Sequence, residues 1–241
     1  MTSEKTTIVF VHYFGGDSGS WRWLEKRLDD TFESVFLDLP GFNATEPMEE
    51  PSIRNFSNWI KAKIEALGLK RYVLCGHSMG GKLVLFTAFL MKTHPPEKLI
   101  LIAPSPPTVE NMEPLEKKRM LRHPNEEEAI ITVENATCKK LKSVKFDYAV
   151  NSQLRIEHNT WKWWINTGMN NDISWATKSL NVPTFVICSK SDPVIDTEAI
   201  HNEVLPNLNH VRLMSFGKSG HLIPMEASRK LGRRINKIMS K

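Results

Sequence analysis

A chain of 241 residues is long enough for one substantial hydrophobic core, and α/β folds reach this length as a single domain. With 24% charged and 41% hydrophobic residues the composition is that of an ordinary globular protein, which excludes disorder and fibrous repeats. The net charge of +5 does not mark a nucleic-acid site. Its densest cluster, Arg229, Lys230, Arg233, Arg234 and Lys237, lies opposite an apolar stripe of Met225, Leu231, Ile235 and Ile238 and reads as the solvated face of one helix.

In chain order, "MTSEKTTIVF" carries Lys5 but no apolar h-region with a cleavage site, so no export signal is read and a cytoplasmic location is expected. The glycosylation sequons at Asn43, Asn55 and Asn135 are then chance matches. "TIVFVHYF" from Thr7 is the first of five short apolar runs rich in β-branched residues, and "SVFLDL" from Ser34 is the second. Ser52 is a predicted N-cap. Ile53, Phe56, Ile60, Ile64 and Leu67 then recur at spacings of three and four until Gly68 supplies a stop. "RYVLCG" from Arg71 is the third run, followed by a helix predicted over residues 80–92 that is apolar nearly all round. Its stretch "LVLFTAFLM" falls far short of the roughly 20 residues a membrane span requires. "KLILIA" from Lys98 is the fourth run and "TFVICS" from Thr184 the fifth; "HVRLMSF" from His210 is a weaker sixth.

Near-continuous apolarity belongs to strands buried on both faces, and the alternation of strand and helix predicts an α/β fold with a doubly covered parallel sheet. Ligands should bind at the carboxyl ends of its strands. Cys75 and Cys188 fall inside strand runs as small hydrophobes, so the three cysteines predict no disulfide framework. One stretch breaks the rhythm. Between the fourth and fifth runs roughly 75 residues pass without a convincing strand, far beyond an ordinary crossover. "PLEKKRMLRHPNEEEAIITV" and "NTWKWWINTG" read as helical, predicting a helical lid over residues 107–178 inserted between core segments 1–106 and 179–241. Its charged stretches "NEEEA" and "CKKLKSVK" read as solvent faces.

"CGHSMGGK", residues 75–82, places Ser78 between a strand and a helix with glycines two residues to either side. A sharp turn there strains the backbone and presses neighbouring chains close, so a side chain at Gly76 or Gly80 would collide with them. The turn lifts the hydroxyl clear of the sheet and sets it at a helix N-terminus, where developing negative charge is favoured.

This Gly-x-Ser-x-Gly elbow, with motifs from "IVFVHYFGG" to "GHLIPMEAS", resembles the α/β-hydrolase superfamily over most of the chain. A serine hydroxyl needs a base and an orienting carboxylate, in the chain order serine, acid, histidine. Asp192 and His221 follow the fifth and sixth strand runs in that order, with Asp196 and Asp172 as fallback acids, Asp196 sitting where a helix should open. The resemblance implies an oxyanion hole made by the backbone N–H groups of Met79 and Phe14, the latter in "HYFGGDSGSW", which is similar to the family's His-Gly-x-x-Gly loop. Tyr13 stands where the family has glycine, so the loop shifts its path or presents the phenol to the pocket. His12 is expected to buttress the loop.

The absence of two leading strands implies about six strands, as in compact members such as plant methylesterases and hydroxynitrile lyases. The lyases use a lysine beside the catalytic histidine; Leu222 stands there, which disfavours lyase chemistry. Tyr13, Trp161, Trp164, Val194 and Leu222 are candidate substrate-binding residues. Trp161 and Trp164, with Trp163, either line an apolar acyl or aromatic pocket or pack the lid onto its base. No His-x-x-x-His or Cys-x-x-Cys spacing, phosphate loop or dinucleotide fingerprint occurs, so no metal and no cofactor is expected.

The resemblance implies a serine hydrolase of carboxylic esters or lactones, a monomer or homodimer with a small-molecule substrate. The alternatives are a carbon-carbon bond hydrolase, a cofactor-free perhydrolase or haloperoxidase-type enzyme and, in another class, a small-molecule receptor on the same fold.

Overall fold

In the computed structural model, which describes residues 5–240, each apolar run forms a strand and all pairs are parallel. The first half of the chain runs β1 (Thr7–Val11), α1 (Arg22–Glu25), β2 (Glu33–Leu37), α2 (Ile53–Ala66), β3 (Tyr72–His77), α3 (Met79–Leu90) and β4 (Lys98–Ile102). Helices α4 (Pro114–Met120), α5 (Glu126–Asn135), α6 (Ser143–Leu154), α7 (His158–Trp163) and α8 (Ser174–Thr177) follow before β5 (Thr184–Ser189). The chain then makes α9 (Thr197–Ala199), β6 (Val211–Phe216), α10 (Ile223–Glu226) and α11 (Ser228–Met239).

The six strands lie in the order β2-β1-β3-β4-β5-β6. β1 therefore has β2 on one side and β3 on the other, and the sheet's direction of growth reverses between β1 and β3. Such a reversal opens a crevice at the carboxyl edge. Strand residues alternate between two cores. Val9 and Val11 face α2 and α3, where Phe56, Ile60 and Leu83 are buried. Ile8 and Phe10 face α1 and α11 and meet Leu24, Leu231 and Ile235. β6 is an edge strand and only partly buried, which is why its sequence signal is weak.

Local signals hold at the helix ends. Ser52 caps α2 by accepting the Asn55 N–H at 3.1 Å, and Gly68 follows the helix with φ +63°. α3 starts one residue before its predicted position. The basic face of α11 lies opposite buried Leu231, Ile235 and Ile238, but Met225 is not on that stripe. Ala227, at φ −128° and ψ 29°, breaks the helix and leaves Met225 in α10, buried against α5 and α6. All three cysteines are free. Among the described residues no helix is long and apolar enough to cross a membrane.

The helical segment between β4 and β5 is held at both ends. Ile173 N–H donates to Pro107 O at 2.7 Å and Glu110 N–H to Met169 O at 2.9 Å, closing a clasp. Beneath it lies Lys82, the fourth residue after Ser78, fully buried, its ammonium donating to Thr108 O at 2.9 Å and Met169 O at 3.1 Å. Farther out, α6 is tied to the loop after β1: Ser152 Oγ donates to Gly15 O at 2.7 Å and Arg155 Nη2 to Asp17 Oδ2 at 2.8 Å, while the Tyr148 hydroxyl also donates to Asp17.

Candidate active site

Ser78 sits between β3 and α3 at φ 53° and ψ −119°, a conformation that costs a non-glycine residue about 1–3 kcal/mol. The surroundings enforce it. A Cβ on Gly76 would lie 2.3 Å from Gly80 O, and one on Gly80 would lie 2.3 Å from Val11 O. Ser78 N–H donates to Ile102 O at 3.0 Å and Ser105 N–H donates to Ser78 O at 3.1 Å, fixing the turn to β4 and the residues beyond it.

Asp192 follows β5 and is buried. Its Oδ1 accepts the N–H groups of Val194 and Ile195 at 2.9 and 3.0 Å, which aims Oδ2 at His221 Nδ1, 3.0 Å away. Nδ1 therefore carries the proton and donates it to the carboxylate, leaving Nε2 as the ring's free base. Burial opposes protonation of His221, but the charge and hydrogen bond of Asp192, with smaller effects of Glu110 and Glu226, carry its pKa above the ordinary 6.5. The fallback acids are engaged elsewhere. Asp196 caps α9 through Ala199 N–H at 2.7 Å, and Asp172 accepts Ser174 N–H at 2.8 Å.

Two residues that sequence reasoning missed hold the His221 loop. His77, next to Ser78, donates its Nε2–H to His221 O at 2.9 Å; burial, with His221 nearby, pushes its pKa well below the ordinary value, so it stays neutral. Glu226 accepts the N–H groups of Gly220 at 2.9 Å and Cys138 at 3.2 Å, joining this loop to the end of the α5 region. His221 N–H itself donates to Ala136 O at 2.7 Å. The clue to His77 was its place inside the elbow; Glu226 gave none, since its partner Cys138 is distant in sequence.

His12 buttresses its loop: Nε2 accepts Leu39 N–H at 3.2 Å and Nδ1–H donates to Tyr13 O at 2.8 Å. Burial lowers its pKa, in keeping with a neutral ring. The Tyr13 hydroxyl is buried near Ser152, and burial drives its pKa up.

Beside this arrangement lies a cavity of about 550 Å³, within the range of small-molecule sites. Ser78 and His221 both line it. So do Tyr13, Phe14, Trp161 and Trp164, with Val194 and Leu222. Phe14 packs against Trp161 in a tilted pair at a centroid distance of 4.3 Å, and Trp161 is anchored by its indole N–H to Met120 O at 2.8 Å. Trp163 instead turns to the core against Phe56, at 4.8 Å. Met79, fully buried, can offer the cavity only its backbone, and Asp192 stands behind His221. Among the described residues no group of three or more His, Cys, Asp or Glu side chains is placed to hold a metal ion.

Comparison with known proteins agrees with this architecture. An uncharacterized hydrolase of Bacillus subtilis, YugF, is 33% identical over 103 residues, 42% of this chain and 37% of that protein. The matches span well under half the length of the first curated relatives. Among solved structures, an esterase from Exiguobacterium antarcticum superposes with a TM-score of 0.89 at 17% identity, covering 99% of this chain and 93% of the other. A bromoperoxidase from Bacillus anthracis superposes with a TM-score of 0.90 at 14% identity and the same coverage. The sequence profile of the alpha/beta hydrolase fold matches residues 6–131, over half of the chain. With this match, the parallel sheet and the serine turn that closes β3, the chain belongs to the alpha/beta hydrolase fold family.

Proposed function

We propose that the chain is a serine hydrolase that cleaves carboxylic esters, lactones among them, through an acyl-enzyme on Ser78, with residues 107–178 as a lid over a core of residues 1–106 and 179–241. One observation carries this reading: His221, held by Asp192 at 3.0 Å, shares a cavity with a serine at a strained strand-to-helix turn.

In the first half-reaction His221 Nε2 takes the Ser78 proton as Oγ bonds to the ester carbonyl carbon. The carbonyl oxygen becomes an oxyanion, stabilised by the N–H groups of Phe14 and Met79. Among the described residues Phe14 N–H has no acceptor, and Met79 opens α3, where the first N–H groups of a helix lack partners. His221 then passes its proton to the leaving alkoxide as the carbon–oxygen bond breaks. Water, deprotonated by His221, attacks the acyl-enzyme; collapse of the second tetrahedral species releases the acid and restores Ser78. Asp192 keeps the ring in the required tautomer throughout.

The test is turnover of a series of p-nitrophenyl esters by wild type and Ser78→Ala, with intact-mass detection of the acyl-enzyme. Loss of both turnover and adduct in the variant is expected; unchanged turnover rejects the reading. A vinylogous diketone, and acetate with peroxide, run alongside: faster reaction on either assigns the same residues to carbon-carbon hydrolysis or perhydrolysis.

A further inference from the structure

His221 arrives from the least supported strand of the sheet. β6 pairs with β5 alone and is only partly buried, and residues 217–222 separate its end from α10. A side chain on such a loop keeps a fixed place only if the loop is held from outside. From the sheet side, Ser189 Oγ donates to Ser219 O and His77 Nε2 to His221 O. From the helical side, Ala136 O accepts the His221 N–H at 2.7 Å and Glu226 Oε2 accepts the Gly220 N–H at 2.9 Å.

One atom of Glu226 joins two backbones. The same Oε2 accepts the Cys138 N–H at 3.2 Å, in the turn that follows α5, so the carboxyl group bridges the His221 loop and that turn. The two segments are in close contact: a Cβ on Gly220 would lie 2.5 Å from Cys138 N and 2.6 Å from Ala136 O, an approach that only glycine allows. α6 braces the same place, where Lys145 Nζ donates to Met225 O. Ala136 also lines the cavity, with Val133 and Asn135. One turn therefore walls the cavity and carries the loop of His221.

Resting on the ester-hydrolase reading, we propose that Glu226 is a positioning residue for His221: by binding the Gly220 and Cys138 amides together it makes the turn after α5 the seat of the catalytic base. Asp192 sets the tautomer of the ring, and Glu226 sets the loop from which the ring hangs. The reach of the carboxyl group decides this role more than its charge, because both of its partners are neutral amides. The two attributes can be separated. Glutamine keeps the reach and loses the charge, whereas aspartate keeps the charge and stops one methylene short.

The experiment measures kcat and KM for a p-nitrophenyl ester on wild type, Glu226→Gln, Glu226→Asp and Glu226→Ala, well below each thermal midpoint so that every molecule counted is folded. In the aspartate and alanine variants kcat should fall by about tenfold to hundredfold with KM within about twofold, while the glutamine variant stays within about threefold of wild type. Gly220→Ala pushes the same two segments apart from the other side and should reproduce the loss; it supplies the comparison if Glu226→Ala does not fold. A kcat within about twofold of wild type in both the aspartate and alanine variants, whatever their midpoints, overturns the proposal. So does a glutamine variant that falls as far as alanine. A second readout needs no turnover: the Nδ1–H proton of His221, held by Asp192 at 3.0 Å, followed by NMR and assigned through its loss in His221→Gln. Its exchange with water should be about tenfold faster or more in the aspartate and alanine variants than in wild type and the glutamine variant. Equal exchange in all of them overturns the proposal even if no ester is cleaved. Ester hydrolysis itself is tested by Ser78→Ala, so the two readings fail separately.

Discussion

The carboxyl rim of the sheet and the helical segment above it are held in different ways. At the rim, several restraints come from close by in the chain, as where Asp192 accepts from Val194 and Ile195 and Gly76 lies against Gly80, and backbone from Val11 and Ile102 completes the serine turn. In the helical segment they span long separations, as with Ser152 to Gly15, Arg155 to Asp17 and Lys82 to Met169. The groups proposed to react are thus built in part into local backbone geometry, while the walls proposed to choose a substrate depend mainly on distant partners. His221 belongs to both regions, since its N–H is held by Ala136.

Mutations at the rim should separate chemistry from folding most sharply. Ser78→Ala should lower ester turnover by about 10⁶ with the thermal midpoint nearly unchanged, as read by calorimetry beside the assay. A large loss of stability would mean that the rim is not self-contained. Asp192→Asn should cost about 10⁴ in kcat through the wrong tautomer. It should also move the pH profile. His221 must be neutral to accept the serine proton, so activity falls as pH drops through its pKa. That pKa is raised in wild type, which puts the acid limb of kcat/KM above 6.5. Without the Asp192 charge, burial is left to act and the limb should shift to lower pH; a stationary limb would remove Asp192 from this role.

The helical segment should answer in stability instead. Burial lowers the Lys82 pKa from its ordinary 10.5 to about 8, with Glu110 and Asp172 opposing. Between those values the unfolded chain holds a proton that the folded chain has released, so this group's contribution to stability rises with pH from about 8 to 10.5. Urea unfolding across that range should show the rise in wild type and lose it in Lys82→Met; parallel curves would refute it. The smallest effect is expected from Ser152→Ala, which removes one bond to the loop carrying Phe14 and should cost about 1 kcal/mol, or about 2–4 °C in midpoint. A loss of turnover beyond about threefold would show that this tether also sets the oxyanion donors.

The same contrast governs what could be seen in the sequence. Strands announced themselves as apolar runs, and the elbow was legible because its glycines, serine, strand and helix are contiguous. Asp192 and His221 followed from chain order and loop position. α6 was obscure because its buried side includes Ser152 and Gln153, which become interior only when the loop after β1 packs on them. Lys82 drew no reading of its own within the predicted helix 80–92; its partners are carbonyls, and carbonyls leave no trace in a sequence. Glu226 was invisible for a like reason, since its partners are the backbone N–H groups of Gly220 and Cys138.

The clasp at Pro107–Ile173 and Glu110–Met169 closes the helical segment into a loop with adjoining ends. Because its two ends are gathered at one spot above a single lysine nitrogen, the stretch between them can vary in length and sequence at little entropic cost to the sheet below. On the proposed reading, a transplant of residues 111–168 that keeps the clasp and the carbonyl of Ala136 under His221 should change the choice of substrate while leaving Ser78 in its turn.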